Sequence, residues 1–309
     1  MLRWRLLLGI LLVAALAGLG WLDSWLYRLT GAESGGIRGI ALFPLLLLIV
    51  VTASREMIEL AAASGGRPAP WVVYCGNLLV ASSCWIVPIG RRVGWGPWET
   101  PGGFAADAAA GARATLIALA AGVILAFSAE MARFKNPGGA TANLAAAILG
   151  LVYVGLLLSF VVGLLVVWGI GALVSLLIVV KLGDVGAYTV GRLVGRHKMA
   201  PRLSPGKTVE GAIGAMVFAW IGAWIAFRCF GFRGGAAGLG PPFHWLLFAS
   251  LVAGAGMVGD LAESLLKRDV AQKDSSRWLP GFGGVLDIMD SILFAAPVAY
   301  ACWAGGLIA

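Results

Sequence analysis

Carboxylates, lysines and hydroxyls crowd into two stretches of this chain, residues 181–210 and 260–291, and elsewhere stand as scattered single charges. On a helix of 3.6 residues per turn, Asp260, Glu263, Ser264 and Lys267 fall at i, i+3, i+4 and i+7 and make one polar stripe. Asp287, Asp290 and Ser291 repeat the pattern, and Asp184 stands between an apolar run and Tyr188. These acids border long apolar runs, and an acid inside a membrane span costs at least about 2.5–3.5 kcal/mol. They therefore need compensation. One solution is simple ion pairing with neighbouring lysines and arginines. The other is a shared hard cation. Oxygen donors with no His or Cys among them suit Mg²⁺, which takes one or two carboxylates and completes its shell with water and substrate phosphate. Lys181, Lys207, Lys267, Arg268, Lys273 and Arg277 would then be free to meet phosphate oxygens. A metal beside such cations describes a phosphoryl- or nucleotidyl-transfer site.

Two nucleotide-binding patterns fail on inspection. Gly206-Lys207-Thr208 resembles the end of a P-loop, but Pro201 stands where that loop needs Gly. Gly254-x-Gly256-x-x-Gly259 matches a dinucleotide fingerprint literally, yet it lies inside an apolar run where small residues let helices approach. The run Ser204-Pro205-Gly206-Lys207-Thr208 instead predicts a turn at Pro205-Gly206 that offers amides, hydroxyls and the lysine to an anion. Helix capping alone is the other reading of the same residues. Pro280 to Gly284 similarly predicts a close-approach backbone ahead of Asp287.

The elements that must hold these residues follow from composition. The chain has 309 residues, 60% hydrophobic and 12% charged, whereas soluble domains carry about a quarter charged residues. Such a chain cannot cover a water-facing surface, which excludes a soluble, disordered, collagenous or disulfide-scaffold protein. Apolar runs long enough to span the bilayer lie at about 4–22, 38–54, 71–90, 114–131, 209–230, 243–266 and 287–308. The uncharged stretch Leu144 to Val180 predicts two more helices with a turn near Ser159–Gly163, and 184–195 a short buried or interfacial helix. The loops at 91–113 and 231–242 read as connectors. The expected fold is an all-α polytopic membrane bundle of about nine transmembrane helices, divided into N-terminal helices over 1–180 and a polar-bearing region over 181–309.

With the N-terminus inside, sixteen of the 23 lysines and arginines fall on the inner side, so a cytoplasmic N-terminus is expected. Arg3 and Arg5 before an apolar run also fit a cleaved signal peptide; a retained first helix suits the eight further spans better. The formal charge of +8 then reflects flanking residues and anionic ligands, with no nucleic-acid partner. Cys75, Cys84, Cys229 and Cys302 form no CxxC pair, and His197 and His244 are far apart, so no zinc site or disulfide framework is indicated. No repeat supports an inverted-repeat transporter.

The polar stretches resemble the signature of phosphatidate cytidylyltransferases. The resemblance rests on Ser264-x-x-Lys267-Arg268-x4-Lys273-Asp274-Ser275, Leu279-Pro280-Gly281-x-Gly283-Gly284-x-Leu286-Asp287-x-x-Asp290-Ser291 and Gly259-Asp260-x-x-Glu263. Upstream, Asp184-x-x-Ala187-Tyr188-x-x-Gly191-Arg192 and Pro201-x-x-Ser204-Pro205-x-Lys207-Thr208-x-Glu210-Gly211 also belong to it. It covers about the last 130 residues. It implies that CTP and phosphatidate give CDP-diacylglycerol and pyrophosphate. It further implies Asp260, Lys267, Arg268 and Asp287 as catalytic residues, and Asp260 and Asp287 as Mg²⁺ ligands supported by Asp290, Asp184 or Glu263, with a second cation as a further candidate. Ser204, Lys207, Thr208, Ser264, Lys273, Asp274, Gly283 and Gly284 would bind the substrates. The implied setting is the inner (cytoplasmic) membrane, with the site on the cytoplasmic face, membrane lipid around it and a second copy of the chain as a candidate partner. Phe282 and Ile288 depart from the family, which has His and Arg there. A CTP-using enzyme acting on another lipid (a polyprenol kinase or a CDP-archaeol synthase), an ion-coupled transporter and a degenerate homologue are the competing readings.

Overall fold

The computed structural model describes residues 17–29, 37–95, 104–230, 242–272, 275–276 and 283–308. The elements in order are α1 (17–29), α2 (Phe43–Ala63), α3 (Pro70–Ser82), α4 (Ile86–Val93), α5 (Phe104–Arg133), α6 (Ala140–Gly150), α7 (Leu157–Trp168) and α8 (Ile170–Val194). A hairpin of β1 (Lys198–Ala200) and β2 (Ser204–Thr208) follows, then α9 (Val209–Phe230), α10 (Pro242–Asp269) and α11 (Val285–Ala304). Among the described residues eight helical stretches are long and apolar enough to cross a membrane. Their outward faces carry large apolar side chains such as Leu116, Ile117, Ile124 and Ile213, each more than 60% exposed. A surface like that is stable only against lipid. The chain is a polytopic helical membrane protein. The expected span at 4–22 lies mostly outside the described residues.

The structure corrects three expectations. The apolar stretch beyond Leu144 does form two spans, α6 continuing through Leu151–Leu156 into α7 and then α8, but the break falls at Gly169, not at Ser159–Gly163. Gly169 takes φ 90°, ψ −173°, a conformation that L side chains resist. Ser159 instead stays helical and returns its hydroxyl to Leu156 O at 2.6 Å. Residues 184–194 are no separate short helix, because α8 runs unbroken to Val194. The expected connector at 91–113 is largely helical, with α4 ending at Val93 and α5 starting at Phe104, and Arg91 paired with Asp107. The hairpin is the one sheet among the described residues.

The chain forms two compact units. One comprises Met1–Ile170 with Asp274–Ile288, the other Gly171–Lys273 with Met289–Ala309. In the first, α3 packs against α2, α5, α6, α7 and the π-helical turn Leu151–Leu156. Leu151, fully buried, fills the notch left by Gly76 and Gly122, where added Cβ atoms would collide with it or press on it. The buried Asn77 amide donates to Ser54 Oγ at 2.8 Å, an interhelical bond in an apolar interior. At one end Asp23 accepts from Gly39 N and Ala41 N, and Arg38 donates to Val167 O, so backbone groups at helix ends are satisfied by side chains.

In the second unit, glycines set the helix spacing. A Cβ on Gly186 of α8 would sit 2.5 Å from Gly214 O of α9, and one on Gly259 of α10 would run into Asp290 O and Phe294. The Gly254-to-Gly259 pattern is therefore helix packing, as its apolar setting predicts. The two ends of that pattern behave differently, because Gly254 meets nothing nearer than Met216 Cε at 3.9 Å. Gly254→Ala is expected to be neutral or to gain up to about 1 kcal/mol from helix propensity. Gly259→Ala should cost about 1–3 kcal/mol through overpacking. Thermal unfolding of the two variants in detergent checks the contrast.

Candidate active site

In the second unit the cluster starts from Lys207. The lysine is carried by β2, whose partner strand sets the register Lys198↔Thr208 and Ala200↔Ser204. The turn of this hairpin is Pro201–Leu203, so the turn expected at Pro205-Gly206 is not formed; those two residues lie exposed in the strand. The hairpin is fastened at both ends. Glu210 in the first turn of α9 accepts from Arg196 N and His197 N and meets His197 Nδ1 at 2.6 Å. Arg268 at the end of α10 donates to Leu203 O and Gln272 O. Thr208, buried, accepts from Gly211 N at 3.1 Å and so caps α9. Gly191, Gly195 and Gly211 crowd around its side chain.

This fastening places Lys207 Nζ 2.8 Å from Asp260 Oδ2. The ammonium nitrogen is buried. Lys207 and Asp260 thus form a close ion pair between a buried ammonium and a partly exposed carboxylate. Asp184 and Asp290 lie within electrostatic reach of Asp260, as Lys181 does of Asp290. Lys181 also pairs with Asp184 at 3.2 Å. Three helices, α8, α10 and α11, and a hairpin strand thereby bring three of the expected acids into one field with two lysines. Among the described residues no three acids or histidines stand at metal-ligand spacing.

The inward face of the α10 stripe behaves differently. Glu263 is 2% exposed, and Lys267, one turn on, meets it at 2.7 Å in a nearly dry setting. Ser264 beside them is buried as well. Ion pairing, one of the two solutions open from sequence, is realised here.

Asp287 belongs to the first unit. It is the third residue of α11, and its Oδ2 accepts from Gly284 N at 2.7 Å, closing the helix start in the manner of a capping box. The same oxygen accepts from Ser275 N at 3.0 Å and Ser275 Oγ at 2.8 Å. Gly283 takes φ +83°, and a Cβ there would strike Asp287 Oδ2; one on Gly284 would strike Ser275 Oγ and the Glu56 carboxylate. The paired glycines are thus required by space. Lys273, Asp274 and Phe282 lie outside the described residues.

One residue was missed from sequence. Glu56 of α2 is 3% exposed and joins the same loop. A signal existed: Ala53, Met57 and Leu60 share its helix face and are buried, whereas Arg55 and Glu59 pair with each other on the exposed side.

The fold is that of a polytopic helical membrane protein whose second unit gathers acids and lysines from α8, α10, α11 and β2. The sequence model of the Cytidylyltransferase family matches residues 35–304, and the chain belongs to that family. It is similar to the phosphatidate cytidylyltransferase of Pseudomonas aeruginosa, 42% identical over 137 residues, which cover 44% of this chain and 49% of that protein. The phosphatidate cytidylyltransferase of Bacillus subtilis is 45% identical over 118 residues, 38% of this chain and 41% of that protein. Escherichia coli YnbB, an uncharacterized protein, is 38% identical over 131 residues, 40% of each chain. The matches thus span about half the length or less of these relatives.

Lys267 and Glu263 form a testable pair. Lys267→Met should lower stability by about 3–5 kcal/mol, because it strips a buried carboxylate of its cation. Adding Glu263→Gln should recover most of that loss. Denaturation midpoints of the single and double variants in detergent measure it.

Proposed function

We propose that the protein transfers the cytidylyl group of CTP to phosphatidate, giving CDP-diacylglycerol and pyrophosphate. The observation that carries this reading is Lys207, a buried ammonium held 2.8 Å from Asp260 in one electrostatic field with Asp184, Asp290 and Lys181. An ammonium carries three donors, so a group so placed can meet a phosphate oxygen while it keeps its acid neighbour. The family supplies the class of transfer, and the names of two relatives supply the lipid.

In this reading a phosphatidate oxygen attacks the α-phosphorus of CTP. A new P–O bond forms, the bond from that phosphorus to the bridging oxygen breaks, and its electron pair leaves with pyrophosphate. The nucleophile is already anionic, so orientation and neutralisation matter more than a general base. Lys207 and Lys181 offset charge on the phosphates, and the hairpin fixes Lys207 in position.

Mg²⁺ suits the donor set, which is oxygen alone. Asp260, with Asp290 or Asp184 in support, would hold the ion in the second unit, and substrate phosphates and water would complete its shell. Asp287 is the other acid that the resemblance assigns to metal. When bound, the ion supplies charge stabilisation to the transferring phosphoryl group. The site is taken to face the cytoplasm, where CTP is dissolved and the lipid headgroup is reached from the leaflet.

A different lipid acceptor is the second reading, favoured by Phe282 and Ile288 where the resemblance calls for His and Arg. Purified protein with Mg²⁺, phosphatidate and CTP labelled in the cytidine or at the γ-phosphate separates the possibilities. Cytidine label in lipid is the expected outcome, whereas γ-label alone in lipid would establish a kinase. Asp260→Asn should lower the rate by at least about 100-fold with the unfolding midpoint unchanged. Full activity in that variant would remove Asp260 from the chemistry.

A further inference from the structure

Within the first unit, a glutamate from an early helix holds the start of the last one. The Glu56 carboxylate accepts from Val285 N at 2.9 Å and Leu286 N at 2.8 Å, the first two amides of α11. It also accepts from Ser275 Oγ and Ser276 Oγ, both at 3.0 Å. A carboxylate 3% exposed in a membrane helix is costly unless it is compensated. Here the compensation is the positive end of a helix dipole plus two hydroxyls, which in turn fixes where that helix begins.

We propose that Glu56 is a positioning residue for the transfer reaction, acting through Ser275 and the first turn of α11 to orient the Asp287 carboxylate. The inference rests on the functional reading above, in which Asp287 serves the chemistry. Ser275 is the link. Its hydroxyl lies 3.0 Å from Glu56 Oε2 and 2.8 Å from Asp287 Oδ2, while its amide donates to that same Asp287 oxygen. One O–H serves one carboxylate oxygen at a time, so the two acids share a single donor. Gly284 permits the approach, since any Cβ there would strike Ser275 Oγ and both Glu56 oxygens. The backbone at Gly284 donates to Asp287, and the next two amides donate to Glu56, so adjacent peptide groups are divided between the two acids. Rotating either carboxylate disturbs the groups that fix the other.

Glu56→Gln tests the idea, because a carboxamide offers a single acceptor oxygen where the native group offers two. It can satisfy the hydroxyls but not both α11 amides. The expected result is faster amide hydrogen exchange confined to residues 285–287, with the global unfolding midpoint retained. In the CTP and phosphatidate assay, kcat should fall about 10- to 100-fold with KM values within about threefold. A shared path also predicts that Ser275→Ala combined with Glu56→Gln loses less than the product of the two single effects. Native exchange at 285–287 in Glu56→Gln, or multiplicative effects in the double variant, would overturn the proposal. Should Glu56→Gln unfold as a whole, Ser275→Ala decides: faster exchange at Asp287 supports the link and unchanged exchange sinks it. Should the wild-type protein form no CDP-lipid, the functional reading fails by itself, and the exchange measurement still reports on positioning.

Discussion

The arrangement of polar groups follows from one constraint: a carboxylate in a membrane helix must be neutralised locally. The protein meets it in three ways. Glu263 takes a lysine one turn along its own helix. Asp260 takes a lysine from a hairpin strand. Glu56 and Asp287 take backbone amides and serine hydroxyls. The solutions differ in what they leave available. The Glu263–Lys267 pair is nearly dry, as a structural ion pair should be, whereas Asp260 is 41% exposed at its side chain.

Helix approach is the second condition. Gly186, Gly214, Gly222 and Gly259 bring backbones together in the second unit, and Gly76, Gly122 and Gly150 do so around Leu151 and Met57 in the first. Lipid gives no hydrophobic drive for helices to associate, so close backbone packing and buried interhelical bonds must supply it. The same spacing brings Asp290 O against Gly259 of α10, the residue before Asp260, so the glycines that hold the bundle also set the distance between acids.

The short non-helical segments do the placing. The hairpin is only eight strand residues, too small to be stable alone, yet Glu210, Arg268 and Thr208 pin it to the ends of α8, α9 and α10. Lys207 therefore behaves as part of a rigid frame. In the first unit, Ser275 and Gly284 do the equivalent work for Asp287.

Composition alone determined that the chain lives in a bilayer, since 12% charged residues cannot clothe a water-facing surface. Helical periodicity determined that Asp260, Glu263 and Lys267 share a face, because positions one turn apart need no knowledge of the fold. Local pattern reached no further. The break at Gly169 was hidden among many glycines, and packing chose which one adopts a positive φ. SPGKT reads as a turn by residue type, but pairing with Lys198–Ala200 made it a strand. Glu56 meets its partners across 219 to 230 residues, a separation at which no spacing rule operates. Which acid takes a lysine and which takes an amide was decided only by the tertiary structure, because neutralising a buried charge depends on distance in space and not on distance along the chain.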